Sequence, residues 1–345
     1  MRATTSQAPT VHRSATLQSV AEATGVHRST VARALDPGQS HRISAEVVER
    51  VRAEAQRQGY RRDQIAASLR TGKSRLIGVV IPDLANPAFA TMLAAIEDRL
   101  AIDGYSMLVA DGGGSSGALP IVEELMARRV DGLVLATATR DDPVLTACIS
   151  AAIPTVLVNR REDALRVTSI AANDVGGMCL AVEHLVSLGH CEIAHVAGPI
   201  DMSTGVLRRR GFEDAMRQVN LDSSLVNAAT EYSRDAGRIA ATQLLGRWPQ
   251  ATAIVAGNDL LALGTIQEIK HRGLSCPDDI SVIGHNDMPL LDMVAPPLTT
   301  IDAEFARMGA LAARALVAGI EAARTEPEVI LTTPRLILRE STAAR

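Results

Sequence analysis

Thr16-Leu17-Gln18-Ser19-Val20-Ala21-Glu22-Ala23-Thr24-Gly25-Val26-His27-Arg28-Ser29-Thr30-Val31-Ala32-Arg33-Ala34-Leu35-Asp36 reads as two short helices joined by a tight turn. Thr16 stands where a first helix needs a cap, and Leu17, Val20 and Ala21 fall on one face of it. Gly25 supplies the turn, and Val31, Ala32 and Leu35 give the second helix its apolar side. That leaves Arg28, Ser29 and Arg33 on the outer face. Such an arginine can present two donors to guanine O6 and N7 in a major groove, while Thr16, Ser29 and Thr30 are placed to hold phosphates. The bland alternative is a pair of surface helices with solvated arginines.

The charge distribution favours the nucleic-acid reading. Residues 1–75 contain 13 Lys+Arg against 6 Asp+Glu, a balance of +7, so the remainder carries 22 against 33, a balance of −11. The whole-chain value of −4 conceals a basic head on an acidic body, as expected when one small N-terminal domain neutralises phosphates. Ser44 then opens a third helix, Ala45 to Gln58, with Val47, Val48, Val51 and Ala55 as its buried stripe and Gly59 at its end. The next segment, Tyr60 to Ser74, is helix-capable but too short to stand alone, and is expected to order only on DNA with a partner chain.

At 345 residues, with 47% apolar and 21% charged, the chain exceeds one ordinary domain. Its four cysteines, Cys148, Cys179, Cys191 and Cys276, lack C-x-x-C spacing, which fits reduced thiols in a cytoplasm and proposes no metal site. Residues 1–15 are polar, with no apolar core of a signal peptide, and read as a disordered tail; no stretch is long and apolar enough to span a bilayer.

From Leu76 the pattern becomes alternating strands and helices. Buried parallel strands are expected at Leu76–Ile81, Tyr105–Ala110, Gly132–Ala136 and Thr155–Asn159, then at Ile193–Ala197, Leu225–Ala229, Ala253–Ala256 and Ser281–Gly284, with helices between. The fold class is therefore α/β: a three-helix helix-turn-helix head on a body of two doubly wound lobes, whose cleft faces the carboxyl ends of the strands. One stretch argues otherwise. Gly112-Gly113-Gly114-Ser115-Ser116-Gly117 matches G-x-G-x-x-G, with Asp131 at about the distance of a ribose-binding acid, the mark of a nicotinamide enzyme. But this loop follows the second strand rather than the first, and Asp131 opens its strand instead of closing one. We read the loop as a flexible turn, expect no cofactor and no enzyme, and take His184 and His190 as a helix end and its following turn.

The head motif, Tyr60–Ser74, Ile77-Gly78-Val79-Val80-Ile81-Pro82-Asp83-Leu84-Ala85-Asn86-Pro87-Ala88-Phe89, Arg129-Val130-Asp131-Gly132-Leu133, His184-Leu185 with Gly189-His190, Gly257-Asn258-Asp259 with Ala262-Leu263-Gly264, and Pro297-Leu298-Thr299-Thr300-Ile301 together resemble the lactose repressor (LacI/GalR) family of bacterial transcription regulators. The resemblance runs from about residue 16 to 340. It implies a homodimer that reads a pseudo-palindromic operator, with a hinge helix from each chain in the minor groove and a small-molecule effector between the lobes. Its domains would be residues 16–59 for DNA, 60–75 for hinge and linker, and 76–340 for effector binding and dimerisation. Lobe 1 would comprise about 76–172 and 303–330, lobe 2 about 173–302 and 331–340.

By position, Arg28, Ser29 and Arg33 match the base readers of the family, joined on the DNA by Thr16, Thr30, Ala66 and the wedge residue Leu69. Where the family usually has Pro-Asn before the hinge helix, Arg62-Asp63 stand here. In the cleft, Asn86, Phe89, Asn159, Thr204, Arg208, Tyr232, Asn258 and Asn286 match pocket-lining positions. The plain alternatives are packing for Tyr232 and a helix cap for Asn258. Val206 stands where sugar-responsive members commonly have arginine, Asn286 where they have aspartate, and Ala88 where purine-responsive members have a stacking tyrosine. A sugar, a sugar acid and another small metabolite all remain open. A solute-binding protein of the same two-lobe build is the competing class, opposed by the basic head.

Overall fold

A computed structural model describes residues 15–36, 39–60, 72–113, 117–139, 142–322 and 326–345. The chain divides into two compact units, Met1–Ser74 and Arg75–Arg345.

In the first unit, α1 (Leu17–Thr24), α2 (Arg28–Ala34) and α3 (Ala45–Arg57) enclose a small core of Val20, Ala21, Val31, Ala34, Val51 and Ala55. The Thr16 hydroxyl accepts from the Ser19 amide at 3.1 Å and the Ser19 hydroxyl from the Thr16 amide at 3.0 Å, so two orphan donors of α1 satisfy each other's residues. Gly25 ends α1 with φ +64°, a left-handed conformation that glycine adopts without steric cost. α2 is capped by the His27 ring, whose Nδ1 accepts from the Ser29 amide. Because α2 begins at Arg28, its inward stripe runs through Val31 and Ala34, with Leu35 packed against the same core; Ala32, expected there from the sequence, is half-buried and outside it. The Ser44 side chain makes no capping bond. Gln58 instead ties the end of α3 to α1 through Ser19.

The second unit holds two six-stranded sheets. The first has strand order β11-β5-β4-β3-β1-β2, all parallel, from β1 (Leu76–Ile81), β2 (Ser106–Asp111), β3 (Gly132–Leu135), β4 (Thr155–Val158), β5 (Ser169–Ala172) and β11 (Val329–Thr332). Its helices are α4 (Ala88–Ile102), α5 (Leu119–Ala127), α6 (Pro143–Ser150) and α11 (Phe305–Glu321). The second sheet has order β12-β10-β9-β8-β6-β7, from β6 (Ile193–Ala197), β7 (Val226–Ala228), β8 (Ala253–Ala256), β9 (Ser281–Asn286), β10 (Thr299–Asp302) and β12 (Arg335–Ile337). Only the pair β10–β12 is antiparallel. Around it lie α7 (Asp174–Ser187), α8 (Ser203–Gln218), α9 (Arg234–Arg247) and α10 (Asp259–His271).

The central strands are continuous apolar runs because helices cover both faces: Leu76–Ile81 and Ile193–Ala197 are almost wholly buried. Between the lobes the chain crosses three times, after β5, after β10 and between β11 and β12. β11 reaches Thr332, so the first lobe runs two residues beyond the boundary expected at 330. Asp131 accepts the Arg75 amide at the amino end of β1, away from the carboxyl ends of the strands, which removes it from any ribose-binding role. His184 closes α7 and contacts the Thr342 hydroxyl, while His190 contacts Thr252 and the Ala343 carbonyl; both fasten the segment 341–343. Among the described residues, no helix is long and apolar enough to cross a membrane and no cluster of His, Cys, Asp and Glu could hold a metal ion.

Candidate functional site

A cavity of about 640 Å³ opens at the carboxyl ends of both sheets, a volume typical of small-molecule sites. All of the expected wall residues but Arg208, which lies in the second turn of α8, sit where a strand hands over to a loop or helix. Asn86 and Phe89 enter α4, Asn159 follows β4, Thr204 lies in the first turn of α8, Tyr232 precedes α9, Asn258 caps α10, and Asn286 ends β9. All eight residues singled out in the sequence line this one cavity.

Their side chains are already engaged to different degrees. The Asn86 carbonyl oxygen accepts from the Ala88 amide, and Phe89 packs edge-on against Phe305 with centroids 6.0 Å apart. Asn258 is indeed a helix cap, its Oδ1 accepting from the Leu261 amide at 2.9 Å, and it faces the cavity as well. The Tyr232 hydroxyl donates to Thr204 Oγ1 at 3.1 Å. Asn159 adopts φ +57° and its buried Oδ1 has no hydrogen-bond partner.

Arg208 forms the electrostatic centre of the second lobe. It is 2% exposed, and its guanidinium donates to Asp174 Oδ1 at 2.7 Å, the Gly257 carbonyl at 2.6 Å and Asn286 Oδ1 at 3.2 Å. His285 lies 3.9 Å from the same Asp174 carboxylate, yet burial and the Arg208 charge hold its imidazole pKa well below the usual range, so it stays neutral. Asp259, at the start of α10, accepts from the Thr300 hydroxyl and the Met288 amide; burial raises its pKa to about 6.

Several wall residues escaped the sequence reading. Arg160 is the most consequential: 5% exposed, it reaches from the end of β4 to Thr204 Oγ1 at 2.9 Å and lies over the Tyr232 ring at 5.8 Å. The charge run Arg160-Arg161-Glu162-Asp163 resembles a solvated loop, so only its position beside Asn159 hinted at the cavity. Asp174 and Asp259 lie outside the cavity lining; each opens a helix directly after its asparagine cap, an arrangement ordinarily explained by the helix dipole. Gly113 lines the cavity too: a methyl group there would lie 1.8 Å from the Pro82 carbonyl oxygen. At Gly113 the glycine-rich loop is thus a close-packed wall, not the free turn expected; residues 114–116 lie outside the described ones.

In the head, Thr16, Arg28, Ser29 and Arg33 are exposed and Thr30 is half-buried. The Thr16 hydroxyl is committed to its cap, and Ser29 Oγ lies 2.8 Å from His27 Nδ1. Ala66 and Leu69 lie outside the described residues, as do tail residues 1–14 and the rest of 61–71.

Residues 182–342 match the family described as periplasmic binding protein-like domain. The chain is 32% identical over 338 residues to the HTH-type transcriptional regulator DegA of Bacillus subtilis, covering 95% of this chain and 98% of that one. A Lac repressor dimer bound to operator and the anti-inducer ONPF superposes with a TM-score of 0.85 at 30% identity, over 96% of this chain and 100% of that one. The complex of the transcriptional regulator CelR with cellobiose gives 0.73 at 28%, over 95% and 99%. Helix-turn-helix head, paired α/β lobes and end-to-end similarity to these regulators agree: the chain belongs to the lactose repressor family of transcriptional regulators and is not an enzyme.

Proposed function

We propose that this chain is a dimeric repressor whose affinity for operator DNA is set by a small molecule held between its two lobes. The observation that carries the reading is the cavity itself, walled by strand ends of both lobes and crossed by the Arg160–Thr204 hydrogen bond, so that occupancy bears directly on lobe closure. CelR with cellobiose and the Lac repressor with operator and ONPF support it by likeness. In this reading Arg28 and Arg33 read bases, Thr16, Ser29 and Thr30 position the head on phosphates, and segment 60–75, with Ala66 and Leu69, enters the minor groove. The effector touches Asn86, Phe89, Asn159, Thr204, Arg208, Tyr232, Asn258 and Asn286.

An operator selected from a random-sequence duplex pool provides the test. Arg28→Ala and Arg33→Ala each weaken binding to the selected operator by about 1–3 kcal/mol and binding to random duplex by less, because a bidentate base contact discriminates sequence whereas a phosphate contact does not. Equal loss on both duplexes would remove these side chains from base reading. Coupling is checked by reciprocity: a ligand that changes operator affinity by some factor must have its own affinity changed by operator to the same extent. Asn258→Ala abolishes the response and leaves ligand-free operator affinity intact. Anisotropy titrations that show cavity binding without reciprocal change would leave the regulator without this control.

A further inference from the structure

Building on the cleft as the effector site, we propose that its ligand is a hydroxyl-bearing anion, a polyhydroxy carboxylate or a sugar phosphate, whose charged group is held by Arg160. Two buried guanidiniums line the cavity, and they are not equivalent. Arg208 carries its counter-charge with it, in Asp174. Arg160 does not: its contacts are the Asn159 carbonyl at 3.2 Å, Thr204 Oγ1 at 2.9 Å and Met202 Sδ at 3.5 Å, all neutral. Among the described residues no carboxylate lies within 4 Å of it; burial and the Arg208 charge disfavour its cation, and the acids that favour it, Asp174 and Asp201, act on it only at longer range.

A guanidinium remains protonated at neutral pH, and a buried charge without a counter-ion is one of the costliest arrangements in a folded chain. The Tyr232 face, 5.8 Å from the guanidinium carbon, offers a weak cation–π contact in place of a counter-ion. The acids of the cavity do not supply the counter-charge either. Asp83 and Glu231 are exposed, Asp111 is half-buried, and Asp83 and Asp111 accept the amides of Ala85, Leu84 and Gly113. An anionic ligand group at the end of β4 resolves the imbalance.

The adjoining residue supplies the second requirement. Asn159 lines the cavity, and its buried Oδ1 is an acceptor without a partner. An anion that also carries hydroxyls supplies a matching donor. Carboxylate and phosphate ester both meet the description.

The test follows thermal unfolding of the full-length chain by fluorescence of Trp248, its single tryptophan, with gluconate, glucose 6-phosphate, glucose or inorganic phosphate as probes. A ligand of the folded state raises the midpoint with the logarithm of its concentration. Gluconate or glucose 6-phosphate is expected to raise it well beyond glucose, the stronger of the two identifying the carboxylate or phosphate class, with inorganic phosphate giving a small rise. Arg160→Met should abolish the anion response and leave the ligand-free midpoint unchanged or higher, because the variant removes an uncompensated charge. Arg160→Lys should retain part of the response. Glucose stabilising more than either anion, a flat response to all four probes, or an Arg160→Met chain that keeps the anion response would each overturn the proposal. An Arg160-dependent anion that leaves operator affinity unchanged would instead refute control through the cleft while upholding the ligand class.

Discussion

Asp174→Ala is expected to lower the unfolding free energy of the two-lobed unit by about 3–5 kcal/mol, measured by urea titration of Trp248 fluorescence. Asp174 and Arg208 are each 2% exposed and 2.7 Å apart, so removing the carboxylate leaves a buried cation hydrogen-bonded to the Gly257 carbonyl and Asn286 alone, with Asp259 the remaining acid that acts on it. Breaking a buried pair by deleting one partner is costly for this reason, whereas replacing both by apolar groups of similar size is often neutral. The double variant Asp174→Leu with Arg208→Met should accordingly be far more stable than the sum of the single losses. A single-variant cost below about 1 kcal/mol would mean that solvent or a rearranged neighbour reaches Arg208.

Acidification should destabilise the same unit, with the sign set by its buried histidines. His195 donates from Nδ1 to the Val255 carbonyl and stacks on Phe212 at 4.9 Å; burial depresses its pKa to about 4. In the unfolded chain the ring titrates at about 6.5, so below that pH the unfolded state binds a proton that the folded state refuses. The stabilisation is fully present above pH 6.5 and is lost as pH falls toward 4. It amounts to about 3 kcal/mol in all and roughly 1.5 kcal/mol between pH 6.5 and 5. His285, His184 and His190, whose imidazoles burial also holds below the usual range, act in the same direction. Asp259 opposes them, since a carboxyl whose pKa is raised to about 6 when folded makes the protein more stable on acidification. Four histidines against this aspartate leave a net loss. His195→Gln should flatten the pH dependence by the stated amount whatever its effect at pH 7, and a slope unchanged from the parent would mean that His195 is not held neutral.

What was readable in the sequence divides along physical lines. β1, β6 and β8 were visible as apolar runs bounded by turns, because burial on both faces writes itself into consecutive residues. β5, β10, β11 and β12 were not: β5, β10 and β12 follow another strand with no helix between, and each of the four is defined by where the chain returns rather than by its place in the strand–helix alternation. The cavity residues could be named because the resemblance to the lactose repressor family carried its pocket positions onto this chain, and strand ends of a doubly wound fold converge there. Their partners could not. Arg160 is buried by residues 42–44 positions further along, and Asp174 meets Arg208 across 34 positions. In the seven-residue α2 the misassignment of Ala32 for Ala34 came from too few turns to fix the helical phase.

The triple crossing between the lobes bears on how the protein is made. Synthesis from the N-terminus delivers all three head helices by residue 57, and that core can close while the ribosome is still elongating. Neither lobe has this freedom. The first lacks α11 and its edge strand β11 until residue 332, and the second lacks β12 and the segment 341–343 that His184 and His190 fasten. Both hydrophobic sheets must therefore wait, incomplete, until residues 332 and 343 have emerged. During that interval the nascent body leaves apolar strand faces uncovered, the condition that favours misassembly.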